Sequence, residues 1–329
     1  MSNDHAILRV SHLSTYFFTF QGIAKAVEDV SFEVYPGEIL GLVGESGCGK
    51  SVSALTILQL IPMPPGKIVN GSVYFEGTDL VSLTNDQMKK IRGNKISMIF
   101  QEPSTSLNPV LTVGTQIIEP LMLHQNLSKR EAIEMGIEML KLVGIAGPAK
   151  VIHQYPHQLS GGMKQRVMIA MAISCNPKVL IADEPTTALD VTIQAQILDL
   201  MRALKEEKDL VIILISHDLG VIGQMTHRCL VMYAGKIVEE GPTDDIFGDP
   251  CHPYTQGLLD SIPWWHEEEE QDRKPLREIP GTVPDVFDLP SNCRFLPRCP
   301  KAMDICRESE PMLKRISDTR AVRCWRMGR

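Results

Sequence analysis

A glycine-rich loop runs Gly44-Glu45-Ser46-Gly47-Cys48-Gly49-Lys50-Ser51, and its spacing matches G-x-x-x-x-G-K-[ST], the pattern of a phosphate-binding loop. An apolar strand pattern, Ile39 to Val43, precedes the loop, and a helical pattern from Ser51 to Leu60 follows it. Glycines let backbone N–H groups converge on phosphate oxygens, and the helix N-terminus adds partial positive charge. We therefore expect Lys50 to reach the β- and γ-phosphates of ATP and the Ser51 hydroxyl to ligate Mg²⁺.

An acidic pair follows a second apolar strand pattern. Val179-Leu180-Ile181-Ala182 predicts a buried strand that ends at Asp183 and Glu184. Ligands bind at the carboxyl ends of strands in open parallel sheets, so we expect Asp183 to hold Mg²⁺, directly or through water. Glu184 is placed to take a proton from an attacking water. Alone, such a pair is more often a helix cap, but the phosphate-binding loop upstream favours the catalytic interpretation.

Strand and helix patterns alternate along most of the chain, which predicts an α/β fold with a mostly parallel sheet covered on both faces. The next strand is predicted from Leu210 to Ile215, after a helix whose apolar face comprises Ile193, Ile197, Leu200 and Leu204. A capping box at Ser128 and Glu131 begins a helix that Gly144 ends, within a helical insertion over about 103–165. Residues 231–241 read as a hairpin that closes this domain. We expect an ATPase domain at 1–247 and a Pro-rich extension at 248–329, with an acidic linker run at 267–270.

Charge and hydropathy exclude several classes of protein. The formal net charge of −7 argues against a general nucleic-acid binder, because phosphate contacts need clustered Lys and Arg. No stretch approaches the roughly 18 apolar residues of a membrane-spanning helix. The polar segment from Met1 to Ser11 has no signal-peptide core. We expect a cytoplasmic protein whose membrane role, if it has one, comes through partners.

A third motif, Leu159-Ser160-Gly161-Gly162-Met163, stands before a helical pattern that begins at Lys164. Two glycines and a serine at a helix start make a second anion-binding end, although a plain N-cap has the same composition. The motif resembles the signature of ABC ATPases, and the resemblance implies a P-loop NTPase fold with an antiparallel β subdomain and a helical insertion. It also implies that two ATPase subunits pack head to tail, so that Ser160, Gly161 and Gly162 close over the partner's nucleotide.

Other positions match the motifs of this family in chain order. Gln101, after the strand pattern Ile96 to Phe100, resembles the glutamine that senses Mg²⁺ and the attacking water and couples to the membrane subunits. Ala188-Leu189-Asp190 resembles the loop that contacts the partner subunit, although Asp190 is also a good N-cap. His217 resembles the histidine that contacts the γ-phosphate. The family stacks adenine on an aromatic side chain near the first strand, for which Phe17 is the first candidate and Tyr16 the second.

Several longer stretches are similar to the ATPases of dipeptide and oligopeptide importers. They are QEPSTSLNP at 101–109, YPHQLSGGMKQRVMIAMAI at 155–173, ADEPTTALDVTIQAQIL at 182–198, HPYT at 252–255 and IPGTVP at 279–284. The resemblance implies ATP hydrolysis at the cytoplasmic face of the cell membrane, with two membrane permease subunits and an extracytoplasmic peptide-binding protein as partners. The second ATPase subunit is a paralogue or another copy of this chain. Nickel importers share much of this pattern and form the alternative.

Two other classes of protein share some of these features. Soluble ABC ATPases of DNA repair or translation usually carry two cassettes or a long coiled-coil insert, and this sequence has neither. An iron–sulfur redox enzyme that also binds nucleotide would fit the cysteines described next. The complete set of hydrolysis motifs argues that any cluster here is structural.

Four of the eight cysteines, Cys293, Cys299, Cys306 and Cys324, have the spacing C-x₅-C-x₆-C-x₁₇-C in a segment with little apolar periodicity. Such a segment usually needs a metal or cross-link, and a reducing cytoplasm disfavours disulfides. Four thiolates suit zinc or an iron–sulfur cluster, although structural zinc sites usually contain a C-x₂₋₄-C knuckle. Free thiols are the third alternative. Some importer ATPases hold a cluster in this extension, so the resemblance implies a structural [4Fe–4S] cluster.

Overall fold

The computed structural model describes residues 6–187, 189–262 and 278–327; the predicted acidic run at 267–270 lies outside them. Its strands are β1 (Leu8–Thr19), β2 (Gly22–Val34), β3 (Ile39–Val43), β4 (Gly66–Phe75), β5 (Thr78–Asp79), β6 (Ile96–Ile99), β7 (Val179–Asp183), β8 (Val211–Ser216), β9 (Arg228–Tyr233), β10 (Lys236–Pro242), β11 (Lys314–Arg315) and β12 (Ala321–Val322). Its α-helices are α1 (Lys50–Ile57), α2 (Asn85–Lys89), α3 (Pro103–Ser106), α4 (Val113–Gln125), α5 (Lys129–Leu142), α6 (Pro148–Val151), α7 (Gly161–Ile173), α8 (Val191–Lys208), α9 (Leu219–Met225), α10 (Thr243–Gly248), α11 (Pro253–Asp260) and α12 (Ile305–Glu308). In this part of the chain, no helix is both long enough and apolar enough to cross a bilayer.

The described residues form two compact units. Unit 1 comprises residues 35–38 and 82–215, and unit 2 comprises 6–34, 39–81 and the described residues from 216 onward.

Unit 1 is built on three parallel strands in the order β8-β7-β6. Every residue of these strands is buried, as the unbroken apolar runs predict for a sheet covered on both faces. Helices α3 to α6 occupy the region predicted as a helical insertion. The capping box is confirmed at the start of α5, where Ser128 N–H donates to the Glu131 carboxylate at 2.8 Å. Gly144 follows this helix with a φ of +75°.

One helical face in unit 1 was predicted incompletely. The buried residues of α8 are Ile197, Leu198, Met201 and Leu204, whereas Ile193 and Leu200 are only half-buried. The buried face of α8 is therefore rotated about the helix axis relative to the predicted one. Met201, rather than Leu200, belongs to the buried face.

Unit 2 holds two sheets. One is antiparallel with the order β2-β1-β4-β5, and the other has the order β11-β12-β10-β9-β3, in which β3 and β9 run parallel. The predicted hairpin is confirmed: β9 and β10 are joined by Ala234 and Gly235, with φ values of 45° and 83°. Positive φ at both turn residues matches the right-handed twist of the strands. Helix α1 ends at Ile57, earlier than the predicted Leu60, because Gln59 takes a left-handed conformation.

The extension after residue 247 packs into unit 2. Strand β12 pairs antiparallel with β10, and the backbone N–H of Arg323 donates to the Val238 carbonyl at 2.8 Å. Three arginines of the extension, Arg294, Arg298 and Arg323, are nearly fully buried. Buried guanidinium groups need hydrogen-bond partners, and a partner of Arg298 is Glu45 of the phosphate-binding loop.

Candidate functional site

The glycine-rich loop joins β3 to α1 and depends on glycine at particular positions. Gly44, Gly47 and Gly49 have φ values of 154°, 78° and 105°. A Cβ atom at Gly44 would lie 2.3 Å from the Met232 carbonyl oxygen, and one at Gly49 would lie 2.5 Å from that of Ala26. Side chains at these two positions would therefore collide with backbone oxygens. Only glycine allows the loop to approach its neighbours this closely.

Lys50 is 5% exposed, and the loop curls around its ammonium group. Its Nζ donates to the carbonyl oxygens of Gly44 at 2.7 Å and Glu45 at 3.0 Å. Ser51 follows in the first turn of α1. The ammonium therefore lies within the loop, where a phosphate chain in the cradle would meet it.

Glu45, the second residue of the loop, is held by two residues of the extension. The guanidinium of Arg298 donates to both carboxylate oxygens, at 2.7 and 2.9 Å. The backbone N–H of Glu45 donates to the Tyr254 hydroxyl at 2.9 Å. Backbone and side chain of one loop residue are thus both fixed from outside the loop.

Packing and hydrogen bonds hold the side chains of Arg298 and Tyr254 in place. Arg298 Nε donates to the Pro280 carbonyl at 2.9 Å, and its guanidinium lies 5.8 Å from the Tyr233 ring centroid. Tyr254 is fully buried, with ring centroids 4.6 Å from Tyr233 and 5.5 Å from Phe295. The hydrogen bonds to Glu45 raise the pKa of Arg298 against the opposing effect of burial. Tyr254 and Pro280 lie within short motifs that resemble those of peptide importers, whereas no local sequence pattern marks Arg298.

In unit 1 the structure brings Gln101 and Glu184 together. Gln101 Nε2 donates to Glu184 Oε2 at 2.8 Å, and the Thr187 hydroxyl donates to the same oxygen at 2.9 Å. Asp183 ends β7 and is 4% exposed. Glu184 has a φ of +47°, a left-handed conformation that is strained for a residue other than glycine. The turn therefore presents the Glu184 carboxylate to two hydrogen-bond donors, of which Thr187 was missed by sequence analysis.

The signature residues stand at a helix start, also in unit 1. Ser160 is the N-cap of α7, and its hydroxyl accepts from Met163 N–H at 3.3 Å. A Cβ atom at Gly162 would lie 3.0 Å from Ile193 Cγ2 on α8. Asp190 caps α8 by accepting from Ile193 N–H at 3.0 Å; Ala188 lies outside the described residues. Ser160 and Asp190 thus make the predicted caps, and both are exposed.

The remaining predicted residues lie in unit 2. His217 follows the end of β8 and is exposed, and the neighbouring Asp218 caps α9. Tyr16 and Phe17 are half-buried on β1, where the Lys25 ammonium lies 5.8 Å from the Tyr16 ring centroid.

All four cysteines of the extension line one small cavity, whose other walls include His252, Phe295 and Trp325. The backbone N–H of Cys293 donates to the Cys306 carbonyl at 3.2 Å, which joins two of the cysteine turns. Burial, and then the other three cysteines, raises the pKa of the Cys293 thiol to about 11. Among the residues that the structure describes, no three His, Cys, Asp or Glu side chains are grouped so that they could hold a metal ion.

Comparison with known proteins gives two family matches. Residues 27–187 match the ABC transporter family, and residues 238–306 match the C-terminal region of oligopeptide and dipeptide transporters. The oligopeptide transport ATP-binding protein AppD of Bacillus subtilis is 52% identical over 97% of this chain and 96% of its own length. The dipeptide transport ATP-binding protein DppD of the same organism is 49% identical over 97% and 94%.

A solved structure has the same fold. It is a dimeric ATP-binding cassette in a post-hydrolysis state with bound ADP and Pi. Its TM-score is 0.65 with 29% identity, over 72% of this chain and 98% of the cassette.

Proposed function

The chain belongs to the ABC transporter ATP-binding proteins of oligopeptide and dipeptide transport, and we propose that it hydrolyses ATP to drive peptide uptake through an ABC importer. The observation that carries the proposal is the pair formed by Gln101 and Glu184 at the end of a buried parallel strand. A carboxylate held by an amide and a hydroxyl is suited to receive a proton from water at a fixed place. The glycine loop supplies the phosphate-binding half of the same chemistry.

The residues divide the work of hydrolysis as follows. Lys50 and the loop N–H groups hold the β- and γ-phosphates, and His217 contacts the γ-phosphate. Glu184 takes the proton of the attacking water, while Gln101 orients it. Ser51, Asp183 and Gln101 would hold Mg²⁺, because hydroxyl, carboxylate and amide oxygens are the kinds of donor that this ion takes. When bound, Mg²⁺ neutralises charge on the phosphates. Phe17, or Tyr16 beside it, stacks on adenine.

The exposed signature residues argue for a dimer. Ser160, Gly161 and Gly162 stand at the N-terminus of α7, a position that favours anions, and serve the nucleotide of a second ATPase subunit packed head to tail. Asp190 contacts that partner. The similarity to a dimeric cassette supports this arrangement. The partner is a paralogue or a second copy.

Membrane partners complete the importer. Two permease subunits bind the ATPase pair at the cytoplasmic face of the membrane, and an extracytoplasmic protein delivers the peptide. ATP closes the pair and hydrolysis reopens it, which moves the permeases. The names of the relatives, which refer to oligopeptide and dipeptide transport, support peptides as the solute.

The chain divides by function into an ATPase domain at 1–247, with a helical subdomain at about 103–165, and an extension at 248–329. Helices α3 to α6 support the helical subdomain. The boundary at 247 is one of sequence rather than packing, because β12 of the extension pairs with β10.

The extension holds a structural [4Fe–4S] cluster on Cys293, Cys299, Cys306 and Cys324. The support is chemical: four thiols and no carboxylate line one cavity, and four thiolates are the usual ligands of such a cluster. Structural zinc sites usually contain a C-x₂₋₄-C knuckle, which the spacing C-x₅-C-x₆-C-x₁₇-C lacks.

Purification with endogenous partners tests the function. Membranes solubilised in mild detergent should yield this chain with two permease subunits, and ATPase turnover in the reconstituted complex should rise when peptide and its binding protein are added. Stimulation by Ni²⁺ and not by peptide would reassign the solute. Recovery without any membrane protein would contradict the importer.

A further inference from the structure

The phosphate-binding loop is anchored to the extension through one residue. Glu45 uses all three of its polar groups: its carboxylate accepts from Arg298, its N–H donates to Tyr254, and its carbonyl accepts from Lys50. Because the Glu45 carbonyl also accepts from the Cys48 N–H at 3.3 Å, displacement of Glu45 would open the turn that forms the phosphate cradle.

Arg298 connects this anchor to the cysteine-lined cavity. It ends a short helical turn, Leu296–Arg298, and the next residue, Cys299, donates its N–H to the Leu296 carbonyl at 3.3 Å. The Arg298 side chain is 3% exposed, so packing fixes the guanidinium that donates to both Glu45 carboxylate oxygens. A displacement of Cys299 would therefore shift Arg298, and with it the position of Glu45.

We propose that Arg298 is a positioning residue for ATP binding, through which the cysteine-lined segment sets the geometry of the phosphate-binding loop. The inference rests on the proposed function. Arg298 touches Glu45 and acts on the nucleotide only through the loop. A planar fork that donates to both carboxylate oxygens fixes orientation as well as distance, which a lysine ammonium does not do.

The test is a mutational cycle on the full chain, read out as the Kd of a fluorescent ATP analogue in titrations with Mg²⁺. Arg298→Gln and Glu45→Gln should each weaken binding about tenfold, the scale of one lost charge-assisted hydrogen-bond pair. The double variant should bind no more weakly than either single variant, because the two residues act as one unit. Arg298→Lys should restore part of the affinity.

Arg323 supplies a matched control. It is nearly as deeply buried as Arg298 and also precedes a cysteine of the cavity, but its guanidinium donates to the carbonyls of Ile237 and Pro311 and pairs with the Asp29 carboxylate at 3.7 Å, none of which belongs to the phosphate-binding loop. Arg323→Gln should lower thermal stability and leave the Kd unchanged. Equal losses of affinity in the Arg323 and Arg298 variants would mean that the effect is general loosening, and would overturn the proposal.

A second cycle tests the connection to the cysteines. Cys299→Ser should raise the Kd in the wild-type background and cause no further change in the Arg298→Gln background. Additive effects would contradict transmission through Arg298. Wild-type affinity of Arg298→Gln would overturn this inference and leave the proposed function intact, whereas a wild-type chain that does not bind ATP would defeat the proposed function itself.

Discussion

Gln101 Nε2 donates to Glu184 Oε2 at 2.8 Å, although 83 positions of sequence separate the two residues. The contact joins the end of β6 to the end of β7, because neighbouring parallel strands end at the same edge of the sheet. A side chain that follows one strand thereby orients the carboxylate that follows the next.

Replacing Glu184 with Gln should separate ATP binding from hydrolysis. The amide retains shape and hydrogen bonding but cannot accept the proton, so turnover should fall by about 10²–10⁴-fold while the nucleotide Kd stays near wild type. The ATP-bound pair should accumulate in size-exclusion chromatography. Glu207→Gln, at an exposed position of α8, is the control. Near-normal turnover of Glu184→Gln would mean that another group is the base.

Thr187 gives a finer test of how the base is held. Thr187→Val keeps the volume and removes the donor to Glu184 Oε2, so kcat should fall about tenfold with little change in nucleotide affinity. Thr187→Ser should retain most of the turnover. Steady-state phosphate release measures both. Equal rates for the Val and Ser variants would show that the hydroxyl does not orient the base.

Ser160→Arg should leave nucleotide binding by the isolated subunit near normal and abolish the closed pair. The residue is exposed at the start of α7, where a long cation would meet the partner's nucleotide site. Light scattering with ATP, in the Glu184→Gln background, measures dimerisation. Glu134→Arg, which breaks only an exposed ion pair on α5, should still dimerise. A Ser160→Arg variant that closes on ATP would contradict the head-to-tail arrangement.

Iron should depend on the cysteines of the cavity. Anaerobically purified protein should contain about four irons per chain with broad absorption in the visible range, as expected for a cluster on four thiolates. Cys299→Ser or Cys306→Ser should remove the iron, and both variants should still bind ATP, Cys299→Ser with a raised Kd. Cys175→Ser, outside the extension, should change neither. Stoichiometric zinc without iron would refute the cluster.

Arg320 has two carboxylate partners that should differ in their effect on stability. Glu239 is 1% exposed and also accepts N–H groups from Cys251 and His252, whereas Asp249 is 87% exposed. Glu239→Gln removes a buried carboxylate that pairs with Arg320 and accepts two backbone N–H groups, so the free energy of unfolding should fall by about 3 kcal/mol. Asp249→Asn should cost at most about 1 kcal/mol. Urea denaturation measures both, and equal effects would contradict the role of burial.

Sequence patterns predicted the parts of the fold whose signals are local. The strand before the phosphate-binding loop, the capping box of α5 and the Ala234-Gly235 hairpin depend on neighbouring residues, and the structure confirms them. The buried face of α8 was predicted less well, because its orientation is set by tertiary packing.

The contacts of the candidate site were harder to predict. That Glu184 follows a strand is visible in the sequence, but its left-handed backbone and the Thr187 donor are not. Arg298 gave no signal, because its partner Glu45 lies 253 positions away and no spacing rule links them. Long-range ion pairs of this kind arise only when the extension packs into unit 2.

The pairing of β12 with β10 has a consequence for biosynthesis. Glu239 pairs with Val322, so β10 leaves the ribosome long before the strand that covers its edge. Until Ala321 and Val322 emerge, β10 offers unpaired N–H and C=O groups to any other nascent strand, which is the usual starting point of misassembly. Slow translation through the Pro-rich tail would prolong that exposure. The last step in folding of unit 2 therefore follows, rather than accompanies, the synthesis of its nucleotide-binding loop.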